Sequence, residues 1–249
     1  MTIEEKKAGD RDDGASPVLI DWRRRNAKKI REKRSRGKGL ISLTGIALLL
    51  TLLTKTFLVQ AFYIPSGSME NTLHKGDRVL VDKLTPWFGW TPQRGQVVVF
   101  RDPGGWLPER PSRDSASVQS LFQEALALVG LMPSADDKNL IKRVIAVGGD
   151  TIECNRGEPV KLNGQSLAES YIHPEATPCD DYPVGTVRVP KGHLWVMGDH
   201  RNKSSDSRAH AHEPGGGFVP VGSVIGRAIT VAWPVQRWTT LPIPQTFHQ

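Results

Sequence analysis

Hydrophobic residues along the chain follow two patterns. From 39 to 62 they form a single run, GLISLTGIALLLTLLTKTFLVQAF, in which Lys55 is the only charged residue. A helix of this length would extend roughly 36 Å, enough to cross the ~30 Å hydrocarbon layer of a membrane. Beyond 62 the apolar residues occur instead in short runs separated by turn residues, a pattern typical of strands. The sequence therefore predicts one transmembrane helix followed by a mostly β body.

The short apolar runs define the predicted strands of that body. They are 78–83, 96–101, 140–147, 193–197 and 223–233. Asn163-Gly164 lies between two further short runs and is a strong signal for a hairpin turn. Turn residues separate the runs, and we expect an antiparallel, mostly β body.

One segment, 102–139, interrupts the strands and is predicted to be a partly helical insertion. Apolar residues recur at helical spacing within 118–129, which favours a one-sided helix there. A surface helix packed on the sheet is the simpler interpretation. A helix lying on the membrane is the alternative, although the segment lacks the basic face that would favour it.

The positive charge of the chain is concentrated before the apolar run. The net charge is +7, and residues 23–38 carry ten Lys or Arg against one acidic residue. Such a segment stays in the cytoplasm. We therefore predict a cytoplasmic tail at 1–38, an anchor at 39–62 and an extracytoplasmic domain at 63–249. Because 63–249 has equal numbers of acidic and basic residues, a nucleic-acid partner is not expected.

The apolar run leaves two alternatives open. It could be a buried helix of a soluble protein, or a cleavable signal peptide whose removal leaves Phe62 as the first residue. An extracytoplasmic location would also permit a disulfide between Cys154 and Cys179. The sequence leaves open whether they are bonded or are two free thiols.

Candidate chemistry begins with the Ser66-Gly67-Ser68 turn that follows the anchor. A serine hydroxyl at neutral pH needs a base to become a nucleophile. Lys142 is one candidate, because it stands among apolar residues of a predicted strand, where burial disfavours the charged amine. Lowering its pKa by about three units would cost roughly 4 kcal/mol of stability. The alternative is an ordinary strand lysine whose amine reaches water.

A polar segment, 197–208, follows the predicted strand 193–197 and is rich in hydrogen-bonding side chains. Within it, Asp206 and Arg208 can pair, and Ser204 could contact an amine. Two alternatives use nearby histidines. A metal could bind His210, His212 and Glu213 with His200 and Asp199, or Ser68, His200 and Asp206 could form a triad.

Four segments in this order resemble the boxes of the type I signal peptidases, the membrane-anchored bacterial leader peptidases. They are 64–73, 76–79, 142–150 and 198–208, and the likeness continues through 218–220 and 226–228. The sequence departs from the family's pattern at several positions in these segments, among them 71 and 200. Asn71 stands where the family usually has proline, and His200 stands where it commonly has asparagine.

The resemblance implies a Ser/Lys endopeptidase, with Ser68 as nucleophile and neutral Lys142 as general base. Ser66 and the Ser68 N–H would hold the oxyanion, and Ser204 would orient the Lys142 amine. The remaining residues it implies are Asp206, Arg208 and Arg143 as structural support, and Ile64, Met69, Leu73 and Ile141 as walls of shallow apolar pockets.

The resemblance also implies the substrate and the setting. Signal peptides of exported preproteins would bind as extended strands and be cut after small residues of the Ala-x-Ala type. The enzyme would sit in the bacterial cytoplasmic membrane, with the lipid bilayer as its other partner, and would need no cofactor and no metal. Three competing hypotheses are a Ser/Lys self-cleaving repressor, a membrane-tethered binding module and a Ser–His–Asp hydrolase.

Overall fold

The computed structural model describes residues 43–48, 59–84, 89–107 and 138–248. The chain divides into two compact units, 1–51 and 52–249. In the first unit, 43–48 are helical. Among the described residues no helix is long and apolar enough to cross a membrane. The rest of the predicted anchor up to residue 58, the basic tail and the predicted helix at 118–129 lie outside the described residues.

Twelve strands are described in the second unit, joined by turns and short 3-10 helices. The strands are β1 Val59–Tyr63, β2 Arg78–Asp82, β3 Val97–Arg101, β4 Asn139–Val147, β5 Thr151–Cys154, β6 Lys161–Leu162, β7 Gln165–Ser166, β8 Gly185–Arg188, β9 His193–Met197, β10 Val219–Pro220, β11 Val224–Trp233 and β12 Thr239–Thr240. The 3-10 helices are Arg201–Lys203, Val221–Ser223, Val235–Arg237 and Gln245–Phe247.

The strands form two antiparallel sheets. The larger has the order β1-β2-β11-β3-β4-β9-β10, with β12 paired to β11. The smaller has the order β7-β6-β5-β8. The mostly β, antiparallel fold class predicted from the sequence is therefore confirmed.

Side chains of the larger sheet alternate between two apolar clusters, as the two-residue period of a strand requires. In β3, Val97 and Val99 belong to one cluster, whereas Val98 and Phe100 belong to the other. A third cluster surrounds the smaller sheet and contains Cys154 and Cys179. These two cysteines form a disulfide, which settles the question that the sequence left open.

Five predicted strands are confirmed as β2, β3, β4, β9 and β11. The Asn163-Gly164 hairpin is confirmed as the turn between β6 and β7. The predicted end of the anchor at residue 62 is wrong, because β1 begins at Val59 and pairs with β2 from Val59↔Asp82 to Tyr63↔Arg78. The alternation in Val59–Tyr63 was hidden because these residues continue an apolar run.

Candidate active site

Ser68 lies in the connection between β1 and β2, on a turn held from beneath by apolar side chains. The Glu70 N–H donates to the Gly67 carbonyl at 3.1 Å, and the Leu73 N–H donates to the Met69 carbonyl at 2.7 Å. Met69 and Leu73 are both 0% exposed. Since burial of these two side chains fixes the turn on the core, Ser68 is held in a defined position at only 6% exposure.

Lys142, from the middle of β4, meets this turn. Its Nζ atom lies 2.7 Å from Ser68 Oγ, and the residue is 4% exposed. Burial lowers the pKa of Lys142 to about 8, while the charges of Asp206 and Asp199 act in the opposite direction. A substantial fraction of the amine is therefore neutral at mildly alkaline pH, and it stands within hydrogen-bond reach of a hydroxyl.

Two buried ion pairs flank the lysine. Arg208 donates to Asp206 at 2.9 and 3.0 Å, and the Gly198 N–H donates to the same carboxylate at 3.0 Å. Burial alone would raise the pKa of Asp206, but Arg208 and the Gly198 N–H bring it below its ordinary value. Asp206 is thus a carboxylate fully occupied by its own partners.

The second ion pair joins Arg143, the neighbour of Lys142 in β4, to Asp199. The two Arg143–Asp199 hydrogen bonds measure 2.8 and 2.6 Å, and Arg143 also donates to the Gly95 carbonyl at 2.7 Å. The prediction grouped Arg143 with Asp206 and Arg208. The structure instead gives Arg143 a separate carboxylate, and Asp199 was not among the predicted support residues.

The two other predicted serines occupy different environments. Ser66 Oγ lies 3.4 Å from Ser68 Oγ, and Ser66 is exposed. Ser204 is buried, and its Oγ makes no close hydrogen bond among the described residues, although its hydroxyl contributes to lowering the pKa of Asp206. The structure therefore brings Ser66 beside the nucleophile, but it does not show the expected hydrogen bond between Ser204 and Lys142.

The four residues predicted to line apolar pockets fall into one cluster. Ile64, Met69 and Leu73 are buried in it, whereas Ile141 packs against it and stays partly exposed. Since Met69 and Leu73 present no surface in this structure, the two residues support a pocket from below rather than form its open wall. The sequence pattern showed that these residues are apolar, but it could not distinguish residues that line the open pocket from residues buried beneath it.

The two histidine alternatives are not supported by the described residues. Within them, no group of three or more His, Cys, Asp or Glu side chains is placed to hold a metal. The His210 ring contacts Glu213 and Ser205 and stacks on Trp106. The triad fails because Asp206 is bonded to Arg208 and Gly198, while the Nδ1 atom of His200 lies 3.1 Å from Glu70.

A loop closed by the disulfide, 155–178, contributes contacts that the sequence analysis did not anticipate. Tyr171 packs its ring 4.5 Å from the Arg143 guanidinium, and Glu169 forms a buried ion pair with Arg201. The His173 N–H donates to the Asp199 carbonyl at 2.9 Å. No sequence motif indicated a role for these residues. A disulfide between Cys154 and Cys179 was the one sequence feature that could have indicated where the loop folds back.

Comparison with known proteins decides the family. Residues 38–233 match the family described as signal peptidase, peptidase S26. This chain belongs to that family. Membership makes it a serine endopeptidase whose reaction is the removal of signal peptides.

Two relatives found by sequence agree with this assignment. A signal peptidase I of Mycobacterium tuberculosis (strain CDC 1551 / Oshkosh) is 42% identical, covering 83% of this chain and 76% of the relative. One from Leptolyngbya laminosa is 34% identical, covering 83% of this chain and 85% of the relative. A solved signal peptidase I from Enterococcus faecalis V583 is 24% identical, with a TM-score of 0.35, covering 55% of this chain and 97% of that one.

Proposed function

We propose that this signal peptidase cleaves exported preproteins with a Ser68–Lys142 dyad. The observation that carries the proposal is the 2.7 Å separation of Lys142 Nζ and Ser68 Oγ in a buried setting. In water a lysine amine is protonated at pH 7 and cannot accept a proton. Burial lowers the pKa of Lys142 to about 8, which makes a neutral amine accessible where the hydroxyl needs it.

The first half of the reaction forms an acyl-enzyme. Ser68 Oγ attacks the carbonyl carbon of the scissile peptide bond while the neutral Lys142 amine takes the hydroxyl proton. The Ser68 N–H and the Ser66 hydroxyl donate to the developing oxyanion; one such donor is typically worth about 3 kcal/mol in the transition state. The tetrahedral intermediate collapses, and the Lys142 ammonium gives its proton to the leaving amine.

Water completes the cycle. The Lys142 amine, neutral again, takes a proton from water as the water oxygen attacks the ester carbonyl. Collapse of the second intermediate releases the new carboxylate, and Ser68 recovers its proton from Lys142. The amine thus does the acid–base work that imidazole performs in a Ser–His–Asp enzyme, and the proposal requires no metal and no cofactor.

Supporting residues keep the amine in place. The Arg208–Asp206 and Arg143–Asp199 pairs fix the segment that packs over Lys142. Ser204 has a buried hydroxyl that makes no close hydrogen bond among the described residues and acts on the Asp206 carboxylate. We assign this hydroxyl to orienting the Lys142 amine once a substrate closes the site.

The substrate binds as an extended strand beside the Ser68 turn. Alternate side chains of an extended peptide point the same way, so two residues before the cut face the apolar cluster beneath the turn. Ile141 supplies exposed apolar surface there, while Ile64, Met69 and Leu73 fill the space below. A shallow recess of this kind favours small side chains, hence cleavage after Ala-x-Ala.

Membrane attachment is the remaining part of the proposal. With β1 starting at Val59, 39–58 are left for the anchor, and about 20 residues correspond to about 30 Å of helix. The basic segment before it places the N-terminus in the cytoplasm of a bacterium and the sheets outside. A signal peptide spanning the same bilayer would then deliver its cleavage site to Ser68.

The test uses the full chain in lipid or mild detergent, with a preprotein whose signal peptide ends in Ala-x-Ala. Ser68→Ala and Lys142→Ala should each abolish cleavage, whereas the matched variants Ser223→Ala and Lys161→Ala, at half-buried positions outside the dyad, should leave it unchanged. Replacing either small residue of the substrate by Phe should also stop cleavage. Full activity of Ser68→Ala or Lys142→Ala would refute the dyad.

A further inference from the structure

One contact between the Ser68 turn and the segment after β9 plays no part in the proposed mechanism. His200 Nδ1 lies 3.1 Å from Glu70 Oε2, and the His200 main-chain N–H donates to the Ser68 carbonyl at 3.1 Å. A single residue therefore holds both the main chain of Ser68 and the side chain of Glu70, two positions further along.

The Glu70 side chain in turn folds back over the turn. A Cβ atom added at Gly67 would lie 2.8 Å from Glu70 Cδ and Oε1, closer than non-bonded carbon and oxygen atoms approach. A side chain at 67 would therefore have to displace the Glu70 carboxylate, which occupies the space where it would begin. The carboxylate covers the residue immediately before Ser68.

The His200 ring has a fixed orientation. It is 3% exposed and stacks on the His173 ring with centroids 4.1 Å apart and an interplanar angle of 4°. His173 is itself tied to the site through its N–H, which donates to the Asp199 carbonyl. Since the ring cannot turn freely, the Nδ1 atom is held towards Glu70.

We propose that Glu70 and His200 are positioning residues, which together hold the Gly67–Ser68 turn so that Ser68 Oγ stays within reach of Lys142. This inference rests on the proposed Ser68–Lys142 dyad. A displacement of about 1 Å at a reacting atom can lower a rate by about a hundredfold, so the position of the Ser68 turn must be held closely. We call the Glu70–His200 contact, with the His200 N–H bond to Ser68, the clamp. Substrate binding, made by other groups, should be little affected.

This role differs from that of a catalytic base. A base at 200 would need an imidazole, whereas the clamp needs only a donor that reaches Glu70 and a main-chain N–H. An asparagine amide supplies that donor. His200→Asn should therefore retain activity, and His200→Ala should not.

The experiment compares kcat and KM of the full chain for the Ala-x-Ala preprotein. Glu70→Ala and His200→Ala should lower kcat about tenfold, as expected for loss of a charge-assisted hydrogen bond, with KM changed less than about twofold. Glu70→Gln and His200→Asn should recover kcat to within about threefold. The matched control is Glu213→Ala, which removes a second His–Glu contact, at 2.7 Å from His210, and should leave both constants unchanged.

Gly67→Ala provides an independent variant. The new methyl group must push the Glu70 carboxylate away, so this substitution should lower kcat as Glu70→Ala does. In the Glu70→Ala background the space is free, and adding Gly67→Ala should lower kcat no further. Such non-additivity is the signature of residues that act as one unit.

Three results would overturn the inference: unchanged kcat in both Glu70→Ala and His200→Ala, loss confined to KM, or His200→Asn as inactive as His200→Ala. Thermal unfolding of each variant identifies any that fails to fold, and the half-exposed Glu70 is the safer of the two sites. Ser68→Ala in the same assay separates the two proposals. If Ser68→Ala stays active, the Ser68–Lys142 dyad is refuted. If Ser68→Ala is inactive while Glu70→Ala and His200→Ala are fully active, only the positioning role of Glu70 and His200 is refuted.

Discussion

Lys142 and Ser68 lie 74 residues apart in the chain, yet their side-chain nitrogen and oxygen are separated by 2.7 Å. Each comes from a different part of the larger sheet: Lys142 from the interior strand β4 and Ser68 from the connection after the edge strand β1. The lysine is buried without a carboxylate bonded to its Nζ among the described residues. This setting favours the neutral form of the amine, which can then accept the Ser68 proton.

Lys142→Met should stabilise the fold at neutral pH. The folded-state pKa, about 8, is lower than the ordinary value of 10.5. Below pH 8 both folded and unfolded chains hold the proton, and the folded chain bears the full penalty of burying the charge. That penalty is about 3 kcal/mol and should vanish as pH rises through 8 towards 10.5.

Denaturant unfolding of the inactive Lys142→Met variant against Ser68→Ala, at pH 7 and at pH 10, measures this difference. Lys161→Met, at a half-buried position where the amine pairs with Glu158, is the matched control and should show no such gain. Equal unfolding free energies of Lys142→Met and Ser68→Ala at pH 7 would mean that burial of the lysine carries no penalty.

Ser204→Ala should separate activity from stability. Its buried hydroxyl makes no close hydrogen bond among the described residues and only helps Arg208 and Gly198 to lower the pKa of Asp206, so its removal should change the melting temperature only slightly. The cleavage rate should nevertheless fall by about tenfold if the hydroxyl orients the Lys142 amine in the substrate complex. Thermal unfolding and kcat, measured beside Ser223→Ala, test both parts; an unchanged kcat would remove Ser204 from the mechanism.

The sequence specified the strands well because each has a strong β pattern and a turn residue at its end. It failed at β1, since Val59–Tyr63 continue the apolar run of the predicted anchor. Short strands such as β6 and β7, two residues each, have no periodicity to detect. Pattern alone was therefore sufficient for the interior of the larger sheet, and Asn163-Gly164 marked one hairpin of the smaller sheet. The edge strand β1 and the other pairings of the smaller sheet needed coordinates.

Asn71→Pro should impair the enzyme even though proline is common at this position in the family. Asn71 has φ +78°, a left-handed conformation, whereas proline is restricted to about −65°. The substitution would also remove the donor that bonds the Tyr171 carbonyl at 3.1 Å. We expect a loss of about 2–3 kcal/mol in unfolding free energy and reduced cleavage.

The matched variant is Asn71→Gly, which permits the left-handed backbone but not the side-chain hydrogen bonds. Its loss should be smaller than that of Asn71→Pro. If Asn71→Pro unfolds at the same denaturant concentration as the unmodified chain, neither the left-handed backbone at 71 nor its side-chain hydrogen bonds contribute to stability.

Removing the Cys154–Cys179 disulfide should destabilise the domain by about 3 kcal/mol, as expected for a cross-link that closes a loop of 25 residues. The loop carries Tyr171 and Glu169 onto the site, so activity should fall at temperatures where the loop detaches. Unfolding of Cys154→Ala/Cys179→Ala, compared with that of the oxidised, unmodified chain, checks this. Equal stability with and without the bond would show that the loop holds through its ion pair and packing alone.

Only part of the candidate active site could be predicted from the sequence. Apolar neighbours indicated that Lys142 could be buried, but no spacing rule could bring it to Ser68; the resemblance supplied that pairing. The Asp206–Arg208 pair followed from proximity in sequence. The Arg143–Asp199 pair and the Glu70–His200 contact join residues 56 and 130 positions apart, and only the fold brings such partners together.

The pH dependence of kcat/KM tests the central claim most directly, because it reports the ionisation of essential groups in the free enzyme. A neutral Lys142 as base predicts that preprotein cleavage rises with pH through a single ionisation near pH 8, the folded-state pKa of the lysine. A profile controlled by a group near pH 6.5, as an imidazole base would give, or one without change between pH 7 and pH 9, would contradict the account.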